Sequence, residues 1–443
     1  MKRVVVLGSG FAGMQAVVDL ERLFRRTPEY EILLISDQNF VLFTPLLPQI
    51  ASSQIDPRHI AQAVRDVRGR RRFRFLRSVV RSLDLQNRRL ETAAGPIAYD
   101  SLVIALGSRT NYFNTPGARE HAYDFKTLED SLVLRERILD LCEHADHIAD
   151  AAERRRLLTI AVVGGGYTGV ELLTDLQDFL FNYAARYYRG LTRDSFRLVL
   201  IEATDSILGG IHPSLRAHAM KRLGREGIEI LYHSRVTSCF EDAVEINGGD
   251  KLPVTTVVWT AGVRAHELVE ALPAPHDRAG RARVNEYLQL ENHPEVFVAG
   301  DSAVAPDADA PQVAPVAIGH GKIAARNIAH RERGEPLEGY RYVSQGMLVS
   351  LGTRDAVVSV AGIQVHGYVA WLFWNAVHLY KLVSLKKQFQ VALDWSLATI
   401  FPRDAAIIRR PHGCRLCEAA GNTPSALPSS AATASETKRA TTA

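Results

Sequence analysis

An apolar strand, a glycine turn and a helix occur twice in this chain, in the same order and with the same spacing. Residues 4–13 read "VVVLGSGFAG" and residues 160–169 read "IAVVGGGYTG", so Gly8, Gly10, Gly13 and Gly164, Gly166, Gly169 each form G-x-G-x-x-G. In such a turn the first glycine allows a tight bend, the second lets the backbone approach a pyrophosphate, and the third lets the helix pack on its strand. The helix N-terminus then offers unpaired N–H groups and partial positive charge to phosphate. Phe11 and Ala12, and Tyr167 and Thr168, open the two helices and fall in the same contact zones.

Each copy continues into a second apolar strand, "YEILLIS" and "FRLVLIEA", which predicts two βαβ units with parallel sheets. The expected fold class is therefore α/β, with two Rossmann-like dinucleotide-binding domains. Each unit closes on a hydrophobic strand that stops at small residues, at Ala105 to Gly107 and at Ala261-Gly262. A further strand, "PEVFVAGDSA", ends at Gly300-Asp301, whose carboxylate is placed to accept a ribityl hydroxyl, and Ala317 follows at a helix start.

Two loops imply two dinucleotides, and the economical pair is FAD with NADH, because hydride passes directly between them. A carboxylate at the end of the second strand takes the adenosine ribose. Glu202 stands there in the second unit; no arginine follows it directly, so NADH is expected over NADPH. In the first unit that position is Ser36: either Asp37, one residue on, reaches the ribose or the contact is lost.

Hydrophobic residues make up 47% of the 443 and charged residues 23%, and no run of 18 apolar residues occurs, which is the profile of a chain that does not thread a bilayer. The basic start "MKRVVVLGSGF" has too short an apolar run for a signal peptide. Net charge is +4, and the arginines of 68–77 read either as a solvated surface or as an anion contact; no nucleic-acid partner is expected. Cys142, Cys239, Cys414 and Cys417 make no disulfide framework, and a single C-x-x-C does not support a metal site.

Beyond these motifs the chain resembles the type II NADH dehydrogenases. The resemblance rests on both glycine loops, "VIALGS", "VWTAGV", "FVAGDSA", residues 39–60, 107–128 and 370–404, and covers about residues 3–405. It implies oxidation of NADH through FAD, transfer to a membrane quinone without proton pumping, and peripheral attachment at the cytoplasmic face of the cell membrane. It adds Thr44 and Pro45 to the FAD contacts. It also implies that Glu171, in "GYTGVE", lies by the nicotinamide and takes part in electron and proton transfer; a first-turn carboxylate complementing the helix dipole is the alternative.

One departure concerns the acceptor. The family's Ala-Gln pair at the quinone site is replaced, so that Pro315, Val316, Gly319 and His320 stand as the quinone-site candidates, with His320 either substituting for the glutamine or simply solvated. A soluble acceptor, or an NADH-sensing interaction role, are the rival readings. The expected division is an FAD domain at 1–115 and 285–335, an NADH domain at 116–284, a C-terminal α+β region at 336–410 and a disordered tail at 411–443. In the C-terminal region Trp371, Phe373, Trp374, Val377, Leu379, Tyr380, Val383 and Leu385, punctuated by Lys381, Lys386 and Lys387, suit a helix lying in a membrane interface, or else a helix pair packed on the core or in a homodimer.

Overall fold

The computed structural model describes residues 1–68, 72–306, 310–382 and 384–407. Its first sheet has the order Gln289–Leu290, His293–Val298, Ser101–Ile104, Lys2–Leu7, Tyr30–Ser36, Arg74–Arg77. All its pairings are parallel apart from the hairpin at one edge. The apolar runs "VVVL" and "ILLI" are buried throughout, as strands covered on both faces require. The second sheet is wholly parallel, in the order Ala122–Asp124, Thr256–Trp259, Thr159–Val163, Arg197–Ile201, Ile228–Leu231.

In both sheets the strand that enters the glycine turn has its sequential partner on one side and a later strand on the other. That reversal of strand order opens a crevice at the carboxyl ends of the strands. In the first sheet the later part of the chain returns to supply that side, and the helix Ala314–Arg333 packs over the helix Phe11–Leu23. The two backbones meet at Gly321, where a Cβ would sit 2.3 Å from the Ala12 carbonyl oxygen. Gly321→Val is expected to cost about 1–3 kcal/mol by forcing the helices apart, read as a lower urea midpoint with an unchanged slope.

The C-terminal region is a three-stranded antiparallel sheet, Met347–Ser350, Ala356–Val360 and Ile363–His366, followed by the helices Tyr368–Lys381 and Leu385–Ile400. Tyr368, Val369, Phe373, Tyr380, Leu385, Phe389, Ile400 and Phe401 are exposed. Trp374 corrects the expectation that placed it with the interfacial residues. It is 2% exposed and stacks on His378 at 3.9 Å, so it belongs to the core. Among the described residues no helix is long and apolar enough to cross a membrane. Val383, the 411–443 tail and the Cys414/Cys417 pair lie outside the described residues.

The arginine run divides. Residues 69–71 are outside the description, whereas Arg74 pairs with Glu31 at 2.5 Å and Arg77 Nε donates to the Asp37 carbonyl at 3.0 Å. Those two arginines are tied to the fold itself.

Candidate active site

Both cradles close as their glycines demand. Gly8 and Gly164 have φ of +95° and +108°, a region that side chains rarely enter. A Cβ on Gly13 would lie 1.9 Å from the Gly8 oxygen, and one on Gly169 would lie 2.1 Å from the Gly164 oxygen. At Gly10 and Gly166, by contrast, a Cβ would meet nothing within 4 Å. Each loop is thus packed against its own helix and open on the side where a pyrophosphate approaches, which is the fit a dinucleotide needs.

The structure gathers the first set of candidates around one loop. A Cβ on Gly8 would press on the Ala105 carbonyl at 2.3 Å, and one on Gly300 would be 3.2 Å from Ala12 and 3.5 Å from Ala317. Phe11 meets Phe43 edge-on at 6.1 Å, and Thr44 and Pro45 follow in the 3-10 turn Thr44–Leu46. The Gly107 carbonyl accepts from Ser302 Oγ at 3.1 Å. Asp301 Oδ2 accepts from Ser108 Oγ at 2.6 Å, and Lys126 Nζ donates to that hydroxyl at 2.7 Å. Asp37 is exposed, while Ser36 exchanges a hydrogen bond with Ser9 at 3.0 Å.

Around the second loop, Glu202 Oε2 accepts from the Gly165 N–H at 2.7 Å, and Oε1 accepts from both the Thr204 N–H and hydroxyl at 2.8 Å. The carboxylate is therefore fixed at the edge of the cradle. A Cβ on Gly164 would be 2.6 Å from Ala261, and Gly262 lies under the Phe113 ring. Tyr167 donates its hydroxyl to the Gly209 carbonyl at 2.8 Å, and Thr168 is exposed.

Glu171 lies one turn into the second cradle's helix and leaves its own unit to accept the Ser350 N–H at 2.8 Å. It is half-buried, and burial pushes its carboxyl up to about 7 against the opposing pull of the Ser350 N–H and the Trp374 indole. From the first loop a run of rings leads the same way: Phe11, Phe43, His378, Trp374 and Trp395 follow one another at centroid separations of 3.9–6.4 Å. His378 donates Nδ1–H to the Trp374 carbonyl at 2.8 Å, and burial pushes its imidazole down to about 4, so it is neutral. His378, Phe43 and Trp395 carried no signal in the sequence, because each sits in an apolar run whose buried stripe depends on a distant partner.

The quinone-site candidates separate from Glu171. Pro315 stands in the first turn of the helix Ala314–Arg333, where its missing N–H costs nothing. Val316 and His320 are buried and line a small cavity with Gly300 and Asp301, while Gly319 lies against Tyr340. The solvated alternative for His320 is overturned. The ring is 2% exposed, burial pushes it down to about 4, and its Nδ1 accepts the Gly300 N–H at 3.1 Å. Histidine is thus a fixed neutral prop for the turn that carries Asp301.

Among the described residues no cluster of side chains suits a metal ion, and Cys142 and Cys239 are free and buried, with burial raising each thiol. Two dinucleotide-type cradles, the second followed one turn on by a carboxylate raised by burial, define a flavoprotein oxidoreductase. Comparison with known proteins narrows this. The pyridine nucleotide-disulphide oxidoreductase model matches residues 2–321, and the NDH2 C-terminal domain model matches 344–404. The type II NADH:quinone oxidoreductase NdhA of Mycobacterium tuberculosis is 32% identical, covering 89% of this chain and 87% of its own. The demethylphylloquinone reductase NdbB of Synechocystis is also 32% identical, covering 89% and 95%. The structure of Plasmodium falciparum NDH2 in complex with NADH superposes with a TM-score of 0.84 at 19% identity, covering 91% and 99%. The chain belongs to the type II NADH:quinone oxidoreductases.

Proposed function

We infer that this chain, an FAD-dependent NADH:quinone oxidoreductase, holds FAD on the Gly8–Gly13 cradle and receives NADH on the Gly164–Gly169 cradle. The flavin, when bound, supplies a two-electron carrier between nicotinamide and quinone. Asp301, held by Ser108 and Lys126, binds the ribityl chain, and the helix start at Ala317 faces the flavin ring. Glu202 takes the adenosine ribose of NADH; a 2′-phosphate would meet that carboxylate, so NADPH is the poorer donor.

Glu171 carries the reading. Its carboxyl belongs to the NADH helix by sequence and to the C-terminal sheet by its hydrogen bond, so it stands where the two substrates' regions join. With its proton affinity near neutrality it delivers a proton to the quinone oxygen as electrons arrive. The quinone approaches along the Phe43, His378 and Trp374 side, and Pro315, Val316, Gly319 and His320 act through the Gly300-Asp301 turn. Pro315 keeps a soluble acceptor in view. NADH oxidation compared between a short-chain quinone and ferricyanide decides the matter: quinone turnover well below the ferricyanide rate would favour the soluble-acceptor reading.

The exposed apolar side chains of the last two helices dock on the cytoplasmic face of the cell membrane, where the exposed Lys381 and Lys386 meet anionic headgroups, whereas Lys387 donates to the Arg58 carbonyl. Phe389→Asp with Leu393→Asp is expected to weaken binding to anionic vesicles on the order of tenfold or more, with soluble-quinone turnover unchanged. A second copy covering the same face would instead show as a dimer that those substitutions split.

A further inference from the structure

The NADH-side helix Tyr167–Phe179 carries three carboxylates at Glu171, Asp175 and Asp178, spaced four and three residues apart. Side chains at that spacing share one helix face, with Cβ atoms about 5–6 Å apart. Asp175 and Asp178 are each only 4% exposed, an unusual place for acids. Asp178 is accounted for: Oδ2 accepts the Thr353 N–H, and Asn182 Nδ2 lies 3.5 Å from Oδ1. The helix passes into a π-turn at Leu180–Ala184, which places Asn182 back over Asp178.

Asp175 takes no hydrogen bond among the described residues. The charged groups that act on it are Asp178 and Glu171 from its own helix and Arg403 from the C-terminal segment. The helix Leu47–Ala51, packed against this one, brings no charged side chain. Burial and the neighbouring Asp178 raise the Asp175 carboxyl well above the usual range, and Arg403 opposes them. Arg403 donates to the Ser52 carbonyl at 3.1 Å and also lines an open cleft of about 580 Å³, shared with Arg135, Asp394, Phe401 and Asp404. Arg403 thus borders that cleft and acts on Asp175, which shares a helix face with Glu171.

The family's reaction needs such a route. NADH gives a hydride, which is two electrons and one proton, while a quinone becomes a quinol by taking two electrons and two protons. One proton per turnover must come from water. We propose that the cleft beside Arg403, together with Asp175, is the entry path for that proton and that Asp175 reprotonates Glu171 after each transfer to quinone. The balance is closed: the Glu171 O–H bond breaks as a quinol O–H forms, the Asp175 O–H bond then breaks as that of Glu171 is restored, and hydronium in the cleft reprotonates Asp175. Asp178 is held by the Thr353 N–H and takes no part in the transfer. Asp175 never meets the quinone and is a relay residue, acting through Glu171. The proposal rests on Glu171 as donor to quinone.

The test uses the full-length, flavin-loaded protein in stopped flow, with Asp175→Asn compared to wild type in water and in D2O. Three rates are read: reduction by NADH, reoxidation by a soluble short-chain quinone, and reoxidation by ferricyanide, which accepts electrons alone. Asp175→Asn is expected to leave the first and third at wild-type values and to slow the second on the order of tenfold or more, with an enlarged solvent isotope effect. Asp175→Glu restores the quinone rate. An unchanged quinone rate in Asp175→Asn would overturn the route, and so would equal slowing of all three rates, which marks a structural role. Failure of the wild type with quinone alone would overturn the quinone reading itself.

Discussion

Gly166→Val is expected to leave the chain folded and its flavin bound while raising the KM for NADH on the order of a hundredfold. The backbone at Gly166 has φ −72° and ψ −177°, which any residue adopts, and a Cβ there meets nothing within 4 Å. Valine therefore strains nothing, and its branched side chain fills the side of the loop that the pyrophosphate must approach. Gly10 has the same geometry, with φ −74° and the same open side, so Gly10→Val should yield a folded, colourless protein without FAD. Flavin content per chain and steady-state NADH kinetics check both. Loss of flavin from Gly166→Val would mean that the two cradles have been assigned in reverse.

Glu171→Gln is expected to retain reduction by NADH within a few-fold while slowing reoxidation by quinone on the order of a hundredfold. In the wild type the quinone half-reaction should be fast when the carboxyl is protonated and fall as pH rises through about 7; the variant should be slow and flat. Stability changes with the opposite consequence. The folded carboxyl titrates near 7 and the unfolded one near 4.5, so the folded state binds the extra proton between those values. Stability attached to Glu171 is complete below the lower value and declines up to the higher one, by about 3 kcal/mol. Glutamine has no such dependence, so Glu171→Gln should gain on the wild type in denaturation midpoint from pH 4.5 to 7. An activity loss without that divergence would place the defect elsewhere than in the carboxyl proton.

The two cradles were legible in the sequence because their causes are local: a strand, a φ only glycine accepts, and a helix start lie within ten residues. Glu202 was legible for the same reason, since its position follows from the strand that ends beside the loop. What escaped is what depends on distant partners. His320 has a solvent-like pattern on its helix, and only the Gly300 N–H, twenty residues earlier in the chain, explains its burial. Trp374 sits in a stretch where nearly every face is apolar, so periodicity cannot say which stripe is core and which is surface. Asp175 carries no signal in the sequence, since Arg403, which acts on it, lies more than two hundred residues later.

One chain takes reducing equivalents from NADH and, through its flavin, gives them to a quinone. An anaerobic titration of the purified protein, followed at the visible flavin band, tests it directly. One flavin per chain should bleach with one equivalent of NADH and recover fully with one equivalent of soluble quinone. Protein that shows no flavin band, or that bleaches with NADH and stays bleached when quinone is added, would contradict it.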